Sequence, residues 1–361
     1  MTKATSWVAN LALVVTSILV TLLFCDLLVV FINPKFSCSA KESNLYLPDA
    51  ARGWALKTNL RTTVCDAGYY YTVRTNDYGF RDEAWPKKAP QQILLVGDSL
   101  TFGMPLQAEQ GFAEKLQRLG EGKLAVYNAG VVGYGPPHMY EAVKLLCAEF
   151  RFDHIIYLYF FNDIRVDNLD VHAMQVVEGY LVPVHKEDGS FYREDEIRQH
   201  IREATTPRFT LMGFFTLYHL RSTLADIHVH PRQLIERLIS LDPKTKYYDR
   251  YFFTARMEEY PDAQLRKATE WVVKIRNRAA QCGAKFSVVV LPTDAEAYYG
   301  LREPATDRFL PMLSEWSLHV VDLRKSTRPG QVLHIHKDGH LNDVGTSWAA
   351  GQLLAIVRGE L

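Results

Sequence analysis

The chain has 361 residues, with 41 basic and 41 acidic side chains, 48% hydrophobic and 23% charged. That length accommodates an N-terminal segment plus one large domain, and the composition supports a full core without disulfide or metal staples. A formal net charge of zero argues against nucleic-acid binding or membrane attachment by charge alone, so no nucleic-acid partner is expected.

Trp7 to Ile32 is almost continuously apolar. A helix of about 20 such residues crosses the hydrocarbon core, whereas the apolar stretch of a cleaved signal is about 7 to 15. A transmembrane signal anchor over residues 1–33 is therefore expected, with residues 7–32 in the lipid bilayer. Lys3 on one side and Lys35 and Lys41 on the other nearly balance. Orientation then follows from the short leader, which places the N-terminus inside and the large domain outside the cytoplasm. Asp26 falls near the outer end, either snorkelling to the interface or marking a helix–helix contact. Five cysteines are too few for a disulfide scaffold. Cys25 lies in the apolar run, and Cys147 and Cys282 read as buried free thiols on helices. A Cys38–Cys65 bridge is open if that region is extracytoplasmic.

Residues 34–90 are rich in Pro, Asn, Asp, Gly and Tyr and read as a small strand-and-turn module. From Gln91 to the C-terminus the texture changes to one large domain of strands alternating with helices. Ile93–Val96, Leu124–Tyr127, His154–Phe160, Phe286–Leu291 and Leu318–Leu323 are short apolar runs suited to buried strands. Helices are expected at Phe112–Leu119, at Pro136–Phe150, over the spaced apolar residues Leu265 to Ala279, and at Asp343–Val357. The pattern is that of an α/β domain with a central parallel sheet covered on both faces. Residues 164–260 interrupt it as an insertion. Within them Tyr180–Val184 and Phe191–Tyr192 flank the turn Glu187-Asp188-Gly189 as a hairpin. Leu211 to Leu224 reads as a helix apolar nearly all round, either insertion core or a surface helix over the site or the membrane. Tyr247, Tyr248, Tyr251, Phe252 and Phe253 are insertion core or a platform for sugar rings.

The first strand of the domain runs into Gly97-Asp98-Ser99-Leu100. A serine at a strand-to-helix turn is presented at the carboxyl edge of the sheet, where open α/β sheets bind ligands. The helix N-terminus behind it offers N–H groups and a positive dipole end to a developing oxyanion. Asp98 and Asp163 fit helix caps or loop braces, and Gly133 and Gly135 fit turns.

Residues 97–100 spell the motif of the GDSL family, and three further blocks follow in that family's order: Asn128 to Gly135, Phe161-Asn162-Asp163, and Asp338-Gly339-His340-Leu341-Asn342. The chain over about residues 92–357, apart from the insertion, resembles the SGNH/GDSL hydrolases. Val73 to Arg81 is similar to the segment preceding the domain in bacterial envelope-anchored members. The resemblance implies a three-layer, flavodoxin-like α/β/α fold and a catalytic triad of Ser99 as nucleophile, His340 as base and Asp338 as orienter of the imidazole. It also implies an oxyanion hole from the Ser99 and Gly130 N–H groups and the Asn162 amide. Two departures stand out. Only Gly339 separates Asp338 from His340, with Asp343 as the alternative orienter. Phe160 occupies the place where the third block usually has glycine. His334 and His336 together with Asp338 and His340 could suggest a metal site, but no matching ligand cluster accompanies them, and neither metal nor cofactor is expected.

The expected activity is a serine esterase on acyl esters, O-acetyl foremost, of an envelope polysaccharide or other glycan. The alternatives are an O-acyltransferase using the same residues with a membrane acyl-transfer partner, and an inactive scaffold or glycan-binding subunit. The expected location is the bacterial inner membrane, with the catalytic domain on the periplasmic side.

Overall fold

A computed structural model describes residues 3–32, 44–66, 69–165, 167–186, 189–205, 260–335 and 339–361. The expected helix at 211–224, the aromatic cluster at 247–253, Cys38, His336 and Asp338 lie outside the described residues.

The centre is a five-stranded sheet of β5 (Gln91–Gly97), β6 (Leu124–Gly130), β7 (His154–Tyr159), β10 (Lys285–Val290) and β11 (Val320–Asp322), in the order β11-β10-β7-β5-β6. Every neighbouring pair is parallel. Numbered along the domain, the order is 2-1-3-4-5, the flavodoxin-like winding whose switch point lies between the first and third strands. Here that is the seam between β5 and β7.

Side-chain alternation sorts the strands onto two cores. Leu94, Val96, Tyr127, Ile155, Tyr157, Val288 and Val290 face one core, closed by α4 (Pro136–Glu149), α6 (Asp262–Gln281) and α8 (Pro304–Glu315). Ile93, Leu95, Val126, Ile156, Leu158 and Val289 face the other, closed by α3 (Phe112–Leu119), the short α7 (Asp294–Tyr299) and α9 (Asp343–Arg358). Burial on both faces is why the strands read as unbroken apolar runs. Pro136 and Pro137 start α4 where missing N–H groups cost nothing. Asn342 caps α9 by accepting from the Gly345 N–H at 2.8 Å.

The strand-and-turn residues carry no core of their own. A hairpin of β1 (Tyr46–Asp49) and β2 (Gly53–Leu56), and a ribbon of β3 (Arg61–Asp66) and β4 (Tyr69–Arg74), contribute Trp54, Leu56, Val64, Tyr71 and Val73 to the first of the two cores. Residues Ser43–Val64 and Tyr71–Ile201 belong with the sheet in one compact unit. The Tyr134 hydroxyl donates to Trp54 O at 2.6 Å, and the Trp54 indole donates to Val132 O at 3.3 Å, which fastens β2 to the loop after β6.

The insertion begins with a hairpin missed by the sequence reading: β8 (Met174–Val177) pairs with β9 (Tyr180–Pro183) across Glu178-Gly179, both at positive φ as a tight primed turn requires. The expected pairing with Phe191–Tyr192 survives as a single bridge, His185 to Phe191. A further helix, α5 (Glu194–Thr205), follows.

At the other end of the chain, α1 runs Lys3–Ile32. Among the described residues no helix is long and apolar enough to cross a membrane.

Cys147 and Cys282 are not free thiols. They form a disulfide between the C-terminal ends of α4 and α6, with Cα atoms 5.9 Å apart and a sequence separation of 135. The sequence reading judged each alone, whereas helix packing brings them together. Non-reducing peptide mapping should recover a Cys147–Cys282 linked pair. Replacing both by Ser should lower unfolding stability by about 2–4 kcal/mol in urea titration; equal stability would show that the cross-link carries no load.

Candidate active site

Ser99 opens α2, a single turn spanning Ser99–Phe102 directly after β5. The turn lies flush against the sheet because two paired strand-end glycines, Gly97 and Gly130, leave room for it. A Cβ at Gly97 would strike the Thr101 side chain, and one at Gly130 would strike the Thr101 and Phe102 backbone. One turn has little macrodipole, so what Ser99 gains from α2 is local N–H groups rather than the helix dipole expected from sequence.

His340 arrives from the other end of the chain. Its backbone is strapped to residues 332–335: the Ile335 N–H donates to His340 O at 2.8 Å, and the Asn342 N–H donates to Leu333 O at 2.9 Å. The Asn342 amide also donates to Val332 O at 3.0 Å and His334 O at 3.1 Å. Gly339 turns the chain into this strap at φ +84°. The result places His340 Nε2 2.9 Å from Ser99 Oγ, with both residues half-buried. With the proton on Nδ1, the hydroxyl donates to Nε2, the arrangement in which an imidazole can take a serine proton.

The other expected site residues divide. Asp338 lies outside the described residues. Asp343, the alternative orienter, is engaged elsewhere: its Oδ1 accepts from Lys115 Nζ at 2.6 Å. The same ammonium donates to Asp343 O at 2.7 Å and to the Thr346 and Ser347 hydroxyls at 2.8 Å each. Lys115, on α3, thus ties the half of the chain that carries Ser99 to the helix that follows His340. Nothing in the sequence signals this bond, because its partners lie more than 200 residues apart.

The Gly130 N–H, expected in the oxyanion hole, donates to Asn128 Oδ1 at 3.0 Å, and the absent Cβ at this position gives α2 its room. Asn162 comes to the β5–β7 seam on the 3-10 turn Phe161–Ile164. One of its amide N–H groups donates to Asp98 Oδ2 at 3.1 Å. Asp98 caps α2 through the Leu100 N–H at 2.9 Å, as a brace rather than a reactant. It therefore fixes both the nucleophile turn and the Asn162 amide. Its burial raises its pKa.

Asp163 is fully buried beneath them. Its Oδ2 accepts from the Tyr157 hydroxyl at 2.9 Å and the Phe160 N–H at 3.0 Å. Burial, with Asp98 adding repulsion, pushes its pKa well above the usual carboxylate range. His334, considered above for a metal, is buried with Nε2 donating to Pro292 O at 3.0 Å. Burial pulls its pKa down to about 4, so it is neutral when the protein is folded at ordinary pH. Among the described residues no three metal-ligating side chains come together.

No family model and no curated protein matches this sequence. Among solved structures, the chain is similar to an acetyl xylan esterase (AlAXEase) at 12% identity, over 74% of this chain and 99% of that one, with a TM-score of 0.39. It is also similar to a G-D-S-L family lipolytic protein of Desulfitobacterium hafniense DCB-2 at 11% identity, over 74% and 99%, with a TM-score of 0.38. A third is an arylesterase assigned in Agrobacterium tumefaciens str. C58, at 15% identity over 75% and 100%, with a TM-score of 0.37. Similarity of this degree does not decide chemistry.

The direction of the Asp163 shift gives a signed test. A raised folded pKa means that the folded state holds the proton more tightly than the unfolded chain. Its stabilisation is complete below the unfolded value near pH 4 and is lost as pH rises toward the folded pKa. Asp163→Asn keeps an acceptor for Tyr157 and Phe160 but cannot ionise. Urea titrations should find the variant gaining on the wild type between pH 4 and pH 8. A constant difference across that range would contradict a neutral Asp163.

Proposed function

We propose that this chain is a serine ester hydrolase of the SGNH/GDSL type that works through an acyl-enzyme on Ser99. The observation that carries the reading is the 2.9 Å approach of His340 Nε2 to Ser99 Oγ at the carboxyl edge of a 2-1-3-4-5 parallel sheet. That edge, beside the switch point, is where such sheets bind ligands. Described residues of the other three blocks support it: Gly130 packs on α2, the Asn162 amide bonds Asp98, and His340 meets Ser99.

In this mechanism His340 takes the hydroxyl proton as Ser99 attacks the ester carbonyl. The Ser99 N–H and the second amide N–H of Asn162 stabilise the tetrahedral oxyanion. His340 then returns the proton to the leaving alcohol, and water repeats the sequence on the acyl-enzyme. Asp338 is the proposed orienter of the imidazole, two residues before it in the chain.

The substrate we propose is an O-acetylated envelope polysaccharide, with the chain held by residues 7–32 in the bacterial inner membrane and the catalytic domain in the periplasm. Two features support that location. The apolar run falls within one helix, α1, whose Trp7, Leu11, Leu13, Ile18 and Leu19 are exposed. The Cys147–Cys282 disulfide suits an oxidising compartment.

Wild-type protein should turn over a small chromogenic acetyl ester, and Ser99→Ala should lose that turnover by several powers of ten while its circular dichroism is unchanged. Retained turnover would remove Ser99 as nucleophile. Incubation with an acetylated glycan, followed by mass spectrometry, separates the outcomes: loss of about 42 Da per acetyl from the glycan marks a hydrolase, whereas acyl gain from an added donor marks a transferase. Carbonate extraction of membranes tests the anchor: release of the intact chain would contradict it.

A further inference from the structure

Arg81 is a buried cation, 5% exposed, and it forms no salt bridge among the described residues. Its Nη1 donates to the carbonyls of Phe102 at 3.1 Å and Gly103 at 3.0 Å. Its Nη2 donates to those of Leu106 at 2.7 Å and Thr72 at 2.9 Å. The rings of Tyr71 and Phe102 flank it, with centroids 5.2 Å and 4.9 Å from the central guanidinium carbon. Burial lowers its pKa only to about 10, so the group is charged near neutrality. A buried charge is costly unless hydrogen bonds satisfy it, and this one is met by backbone carbonyls rather than by a carboxylate.

The carbonyls it holds are not arbitrary. Those of Phe102 and Gly103 close α2, and Leu106 O lies just beyond. In the same turn the Gly103 and Met104 N–H groups return to the carbonyl of Ser99 itself, at 3.1 Å and 3.0 Å. The bonds therefore run from the guanidinium, through the peptides of residues 102–104, to the backbone of the nucleophile. An isolated turn does not hold its own shape in water. The 2.9 Å contact with His340 leaves little room for α2 to drift, and displacement of reacting groups by about 1 Å can cost on the order of 100-fold in rate.

We propose that Arg81 is the positioning residue of the nucleophile, fixing α2 so that the Ser99 hydroxyl stays within reach of His340. On this view, the contribution of the strand-and-turn segment to catalysis is to deliver that guanidinium, with Thr72 O on β4 as its fourth support. The proposal rests on the ester-hydrolase reading above and adds a role that the motif blocks do not assign. A lysine would keep the charge but not the planar fork that serves four carbonyls.

The test measures kcat and KM for a small acetyl ester in wild type, Arg81→Lys and Arg81→Ala, each normalised to active sites counted by complete reaction with a serine-directed phosphonate. The expected result is a fall in kcat per site on the order of 10- to 100-fold in both variants, with KM little changed. Truncation to Ala opens space into an adjoining cavity of about 330 Å³ lined by Phe102, Glu114 and Asn128. Millimolar guanidinium should therefore raise kcat in Arg81→Ala, and equal urea should not. A residue with only a general folding role would reduce the number of titratable sites or the melting temperature but not kcat per site. Unchanged kcat per site, or no response to guanidinium, would overturn the proposal. So would loss of the folded near-ultraviolet signature in both variants, because the contacts would then serve the whole fold. A wild type that neither turns over the ester nor reacts with the phosphonate would instead reject the ester-hydrolase reading.

Discussion

The contact between Ser99 Oγ and His340 Nε2 joins residues 241 positions apart in the chain, and much of the surrounding structure holds it at that length. The sheet order sets the coarse position by ending β5 at the switch point. The fine position comes from smaller devices on each side. Glycines 97 and 130 let α2 sit against the strand ends, and residues 332–335 strap the histidine backbone. Lys115 draws α9 toward α3. None of these touches a reacting atom, yet each limits how far one of the two elements can move.

Beneath the site, polar groups are buried at a cost that shapes their ionisation. Asp98 is partly compensated by the Leu100 N–H and the Asn162 amide. Asp163, fully buried, with no salt bridge among the described residues and repelled by Asp98, is driven toward its neutral form. The imidazoles show the same rule with the opposite sign. His138, stacked on Tyr134 and Trp54, is held neutral by burial, its pKa pulled down to about 3, as His334 is to about 4. His340 alone of these three stands half-buried with its Nε2 on a hydroxyl.

Much of the domain was legible in the sequence because a doubly covered parallel sheet leaves a strong trace: short apolar runs, such as Ile93–Val96 and Phe286–Leu291, separated by helical spacing. The runs beginning at Ile93, Leu124, His154 and Phe286 correspond to four of the five strands, and the last, Leu318–Leu323, shortened to Val320–Asp322. Ser99 and His340 were legible because short motifs fix them locally. What pairs across space was not. The Cys147–Cys282 bridge, the Lys115 tie and the Arg81 clamp each join positions whose separation carries no periodic signal. At Gly130 the motif shows that glycine is required, but not that its absent Cβ is what lets α2 sit against the strand ends. The β8–β9 hairpin was missed because its turn is Glu178-Gly179 rather than one of the usual Asn-Gly or Asp-Gly pairs.

The central claim is that His340 activates Ser99 where they meet. It is tested most directly by treating the intact protein with a serine-directed phosphonate and mapping the adduct by peptide mass spectrometry. The account predicts one modified residue, Ser99, labelled rapidly in the wild type and slowly in a folded His340→Gln variant. Labelling at another serine, or at Ser99 with a rate indifferent to residue 340, would contradict it.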